Sequence, residues 1–192
     1  MSDAPAETAR SRVLGWIRLA AVYGFVAVLV VLSRPTPPLL VAGAVLVLAG
    51  EALRIWAAGH LVKSVRLITS GPYARTQNPL YLGRLLILTG IGVAARNEAY
   101  LNLVALGVGY LIFFVYYMPR KLRVEGDRLA GLHGAAFEAY RRSVPILFPS
   151  LRRYPGDATR WSFRRMVRNQ EPLVALGLLL IFVLLALRDG AA

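Results

Sequence analysis

The stretch "LYLGRLLILTGIGVAARNEAYLNLVALGVGYLIFFVYYM", Leu80 to Met118, decides the fold. It holds two apolar runs, 80–95 and 99–118, separated by only Arg96, Asn97 and Glu98. A helix crossing a bilayer needs about 20 mostly apolar residues. The pair therefore reads as two spans joined in an antiparallel hairpin. Working outward, similar runs occupy 13–32, 39–59 and 172–187. The expected architecture is all-α: a polytopic membrane helix bundle of about five spans, forming one integral-membrane domain over 1–192. "SRPTPP", Ser33 to Pro38, reads as a stiff turn whose prolines exclude helix.

Composition agrees with a membrane protein. Hydrophobic residues make up 57% of the chain and the mean hydropathy is +0.54, above the range of ordinary soluble domains. The chain has no cysteine, and its histidines are His60 and His133. Disulfides, thiolate zinc sites, cysteine nucleophiles and poly-histidine metal sites are thereby excluded. Lysine and arginine together number 23 against 10 acidic residues. In so apolar a chain that excess is expected to face anionic phospholipids, not nucleic acid.

The basic residues also suggest an orientation. Arg10, Arg12 and Arg18 flank the first run, and Lys63, Arg66 and Arg75 lie between the second and third. Many more fall between Arg120 and Arg168, whereas Arg34, Arg96 and Arg188 sit on the other side. Alternating spans put the basic loops, the N-terminus and the segment 119–171 in the cytoplasm, as in a bacterial inner membrane. The first run is long and lacks a small-residue cleavage site, so it reads as a retained span, not a signal peptide.

Within 119–171, Val124, Leu129, Leu132, Ala136 and Tyr140 fall on one helical stripe, which Pro145 and Pro149 end. "ATRWSFRRMVRNQEP", Ala158 to Pro172, reads either as an interfacial segment or as a basic linker.

Polar residues inside this apolar frame are the candidates for chemistry. Glu51 and Arg54 lie three apart in the second run, either as a self-satisfied pair or bordering a polar cavity. Trp56 and His60 suit an interfacial belt, and Arg84 can snorkel. In "SGPYARTQNPLYLG", Ser70 to Gly83, a turn leads into an extended segment. Pro79 pushes Asn78 out of helical geometry and fits a first helical turn. The exposed N–H groups of that helix suit a carboxylate or phosphate. Tyr73, Gln77, Asn78 and Tyr81 add donors and acceptors, and Gly83 permits close approach. The same pattern equally describes a capped helix start with interfacial tyrosines. Glu125 and Tyr140 form a second cluster; Glu125 either returns to the mouth of the bundle or pairs with Arg123 or Arg128.

Taken together, the two stretches resemble the integral-membrane methyltransferases, which include isoprenylcysteine carboxyl methyltransferases and phospholipid methyltransferases. "SGPYARTQNPLYLG" is similar to their "GPY…RHPxYxG" signature. Glu125, Gly126, Leu129, His133, Gly134, Phe137, Tyr140, Val144 and Pro149 follow their second signature, "EExxL…FGxxYxxY…V…P". The resemblance spans about 51–149. It implies S-adenosyl-L-methionine as cofactor, bound by Tyr73, Gln77, Asn78, Pro79, Tyr81, Leu82, Gly83, Glu125, His133, Phe137 and Tyr140. It also implies S_N2 methyl transfer to a lipidic or prenylated carboxylate or amine entering from the bilayer. Glu125 and Tyr140 would assist an amine acceptor, and Arg120 would orient an anionic one. The chain departs from the pattern at Gln77, Asn78, Gly126, His133 and Phe137. Two other functions remain open. One is an NADPH-dependent sterol-type reductase, disfavoured because no acidic residue follows Tyr81; the other is a non-catalytic membrane scaffold.

Overall fold

The computed structural model describes residues 24, 27–62 and 66–189. Arg10, Arg12, Arg18 and Lys63, and most of the expected first span 13–32, lie outside these. The described chain is all helix and loop. Helix α1 has its described end at 27–32. It is followed by α2 (Pro37–His60), a 3-10 turn (Gly71–Ala74), α3 (Pro79–Ala94) and α4 (Leu101–Leu111). A π-helical turn (Ile112–Tyr117) leads into α5 (Met118–Ser143), then α6 (Phe163–Arg168) and α7 (Glu171–Asp189).

Among the described residues, three helices are long and apolar enough to cross a membrane: Pro37–His60, the continuous Leu101–Ser143, and Glu171–Arg188. The chain is thus a polytopic α-helical membrane bundle. The expected first span lies mostly outside the described residues. Helix α3 is apolar but has only 16 residues, about 24 Å at 1.5 Å per residue, short of the ~30 Å hydrocarbon core. Large apolar side chains stay exposed along α4 and α7, among them Val104, Val108, Leu111, Leu176, Leu179 and Leu180. A belt of this extent suits lipid contact.

Helices α2 and α3 form the most extensively packed pair. Their crossing is made of glycine. A Cβ added at Gly43 would fall 2.5 Å from the Gly90 carbonyl oxygen, and one at Gly90 2.5 Å from the Gly43 carbonyl oxygen. One turn-pair further on, Gly50 and Gly83 approach in the same way, at 2.6 and 2.7 Å. Small residues let two backbones meet, which is how helices associate where no hydrophobic force separates them from lipid. Helix α7 covers the pair through Val47, Ile87, Ile91 and Leu178. The hairpin between α3 and α4 forms as expected. The Asn97 side chain accepts from the Leu101 N–H at 2.8 Å, and Asn102 donates to the Gly92 carbonyl at 2.8 Å.

Several expectations are corrected by local chemistry. Pro37 and Pro38 do not exclude helix; they open α2, where a missing N–H costs nothing. The turn expected in "SGPY" is present, a 3-10 turn over Gly71–Ala74 begun by Gly71 at φ 60°. The fourth span does not stop at Pro119. The chain stays helical because the wider π turn before it accommodates the proline ring and its missing donor. The stripe proposed for 124–140 is broken at Gly134, which has φ 49° and ψ −124°. Val124 and Leu132 are consequently exposed, while Phe137 and Tyr140 are buried with Val144. Trp161 to Arg168 packs on the end of α2: Trp161 donates to the Ile55 carbonyl at 3.2 Å, and Arg165 to the Gly59 carbonyl at 2.8 Å. His60 is buried there too. Its Nδ1 lies 3.1 Å from the Thr159 carbonyl oxygen and 3.2 Å from Ser70 Oγ.

The loop above this end is held by Asp157. Its carboxylate accepts from the Thr159 N–H and hydroxyl, both at 3.0 Å, while its own N–H donates to Thr69 at 2.9 Å. Partial burial pushes the carboxyl up, but hydrogen bonds from Ser70 and Thr159 outweigh it and hold the group below its ordinary value. A carboxylate depressed in the folded state stabilises the fold above its unfolded pKa and loses that contribution as pH falls through the folded value. Stability is therefore expected to drop on acidification below about pH 4, and to drop less in Asp157→Asn. Thermal unfolding of both forms in detergent across pH 3 to 7 checks this.

Candidate functional site

The two halves of the polar mouth meet. Backbone and side chains of 76–78 are sewn to 144–147. The Gln77 N–H donates to the Pro145 carbonyl at 2.9 Å, and the Gln77 amide donates to the Val144 carbonyl at 2.5 Å. Thr76 donates to Leu147 at 2.8 Å, and Asn78 to Ile146 at 2.9 Å. Below them, the Tyr140 hydroxyl donates to the Tyr73 carbonyl at 2.8 Å. These bonds tie the turn before α3 to the tail of α5, so residues far apart in sequence share one polar region.

Two neighbouring cavities occupy it, of about 640 and 440 Å³. Both are lined by Gln77, Asn78, Lys121, Glu125, Leu129 and Tyr140. Tyr73, Pro79 and Tyr81 line the smaller one, and Phe137 the larger. Deep burial, with Tyr140 and Glu125 nearby, pushes the Tyr73 hydroxyl well above the ordinary tyrosine range.

Other expected residues lie elsewhere. Leu82, Gly83 and His133 line neither cavity. Gly83 faces Gly50 and Arg54 across the α2–α3 crossing, so its missing side chain serves packing. Arg120 is also outside; it donates to its own helix neighbour Tyr116 at 2.8 Å.

Lys121 was missed. It touches both cavities, donates to Asn78 Oδ1 at 3.1 Å, pairs with Glu125 at 3.0 Å and lies 3.8 Å from the Tyr81 ring centroid. The available signal was its i,i+4 spacing to Glu125 on one helix. That pairing answers the question left open for Glu125, whose partner is neither Arg123 nor Arg128.

Glu171 was missed as well. Arg54 forms a two-pronged contact with it, Nε to Oε2 at 3.1 Å and Nη2 to Oε1 at 3.0 Å. The pair Glu51–Arg54 is therefore not self-satisfied, and Arg54 does border the smaller cavity. Glu171 sits in the first turn of α7, where an acidic residue favours the helix dipole. That local role gave no hint of a partner 117 residues away.

In the smaller cavity five cations, Arg54, Arg66, Arg84, Lys121 and Arg128, face two carboxylates, Glu125 and Glu171. Among the described residues, no group of three or more His, Asp or Glu side chains is placed to hold a metal ion.

No family model matches the chain, and no solved structure matches it. It is similar to the cobalt-zinc-cadmium resistance protein CzcN of Cupriavidus metallidurans, 32% identical over 141 residues, or 70% of this chain and 62% of that protein. It is also similar to the nickel-cobalt-cadmium resistance protein NccN of Alcaligenes xylosoxydans xylosoxydans, 29% identical over 108 residues, or 55% of this chain and 47% of that protein. The chain thus spans about half to three-fifths of the length of the curated relatives it matches.

These findings correct the methyltransferase reading. The relatives are named for metal resistance. The assignment as an enzyme, the methyl transfer, the lipidic or prenylated acceptor and the anionic phospholipid partner fall with it. Several motif residues make structural contacts. Gly83 sits in a helix crossing, Gln77 and Asn78 bind backbone carbonyls, and Tyr140 holds the Tyr73 turn.

Proposed function

We propose that this chain is a membrane component of a system conferring resistance to divalent transition metals, and that it acts as a scaffold and turns over no substrate. The similarity to CzcN over 141 residues carries the reading. The electrostatics of the cavity support an indirect role. With five cations against two carboxylates, it repels a bare divalent ion. The carboxylates Glu125 and Glu171 are already matched to Lys121 and Arg54.

Deleting the gene from a host that carries it is expected to slow growth in cobalt, zinc, cadmium or nickel and to raise cell-associated metal. Growth without added metal should be unchanged. Unaltered tolerance to all four metals would refute the reading. Glu125→Ala, produced at normal level, is expected to keep resistance, because a scaffold needs no carboxylate in the cavity; its loss in a folded protein would point to catalysis.

We further place the cavity and the arginine-rich segment on the cytoplasmic side, on the positive-inside rule. The chain has no cysteine, so single introduced thiols report topology cleanly. Arg152→Cys should react with an impermeant maleimide only in inverted vesicles, and Glu98→Cys only in right-side-out cells. The opposite pattern would invert the assignment.

A further inference from the structure

Glu51 is the least satisfied ionisable group described. It lies on α2 and is 8% exposed, and both carboxyl oxygens are buried without a hydrogen-bond partner. It stands nine residues before the end of α2 at His60, about 14 Å along the axis. The charges that reach it are those of Arg54 and Glu171. Arg54, one turn on, has its Nε 3.6 Å from Glu51 Oε2, beyond a hydrogen bond, because its fork is taken by Glu171. The α3 atoms nearest to neighbouring Gly50 belong to Gly83, Ile87 and Leu86. The α6 cation Arg165 is engaged at the Gly59 carbonyl. Arg54 and Glu171 line the smaller cavity, whereas Glu51 does not.

Two buried carboxyl groups thus face one guanidinium. If all three were ionised, the trio would carry a net negative charge in a low-dielectric interior. An ionised carboxylate without hydrogen bonds there is so costly that the group neutralises instead. When like charges share a site, one takes up a proton. The two-pronged geometry makes Glu171 the ionised member and leaves the proton to Glu51.

We propose that Glu51 is a proton-binding site, a neutral carboxylic acid beside Arg54, whose deprotonation is coupled to Arg54 moving from Glu171 toward Glu51 so that it bridges the two. On deprotonation the Glu51 O–H bond breaks and the proton passes to solvent water. Arg54 keeps its charge and is shared between both carboxylates, and the trio goes from net zero to one negative charge. The i,i+3 spacing makes Glu51 reachable by a change of Arg54 rotamer. Sharing Arg54 weakens its hold on Glu171 in the first turn of α7, so proton occupancy tunes the contact between two of the long helices.

Infrared spectroscopy of the full chain in liposomes, titrated with pH, tests this directly. The wild type is expected to show a protonated-carboxyl C=O stretch at neutral pH that disappears on alkalinisation. Glu51→Asp should shift that band, Glu171→Asp should leave its position unchanged, and Glu51→Gln should abolish it. Glu171→Gln should also abolish it at neutral pH, because Arg54 is then free to pair with an ionised Glu51. Far-UV circular dichroism identifies folded variants, and the Glu51→Asp spectrum decides if Glu51→Gln fails to fold. Absence of the band in wild type, a band unmoved by Glu51→Asp, or one that follows Glu171→Asp would overturn the assignment. Persistence of the band in folded Glu171→Gln would overturn the coupling to Arg54.

Discussion

Arg54→Ala is expected to cost about 3–5 kcal/mol of folding stability, the usual penalty when one partner of a buried charge cluster is removed. Arg54 is 8% exposed, and its fork satisfies Glu171, itself 3% exposed, from α7. Truncation leaves two carboxyls at the α2–α7 contact with no counter-charge. The loss should shrink at low pH, where both carboxyls are protonated and need no cation. The triple replacement Arg54→Leu, Glu51→Gln, Glu171→Gln should recover much of it, because the uncompensated charge is then gone. Unfolding in mixed detergent, read by circular dichroism at pH 5 and pH 8, supplies the comparison. An Arg54→Ala protein as stable as wild type at pH 8 would mean that water already solvates this cluster.

Adding a single methyl group at the helix crossing should also be severe. Gly43→Ala and Gly90→Ala each push a Cβ to 2.5 Å from a carbonyl oxygen of the facing helix. Backbone cannot give as a side-chain tip can. The helices must separate, at a cost of about 1–3 kcal/mol. Gly107→Ala and Gly109→Ala serve as controls on α4, where a Cβ meets nothing within 4 Å. Those two should be neutral or gain up to about 1 kcal/mol from helix propensity. Equal melting temperatures for all four variants would show that the α2–α3 crossing is looser than described.

The same residues explain what could be read in advance. Apolar runs of span length depend only on local composition, so the helices at 37–60, 101–117 and 171–188 were legible, as was the hairpin at Arg96–Glu98. Gly83 was legible as a point of close approach, but not what approaches. Its partner Gly50 belongs to another helix, and nothing local distinguishes a backbone neighbour from a bound ring. Gln77 and Asn78 illustrate the same limit: their amides suited a ligand equally well, and only folding brought the carbonyls of 144–146 within reach.

Hydrophobicity and helical periodicity act over a few neighbouring residues. By themselves they made this chain a helical membrane protein with a polar, basic segment between its last apolar runs. Which charges meet was decided only by tertiary structure. The pairing of Arg54 with Glu171 spans 117 positions, and the short side chain of Asn78 takes its Lys121 contact from a different helix. Electrostatic and hydrogen-bond energies depend on distance in space, and sequence separation carries no information about that distance until the helices have packed.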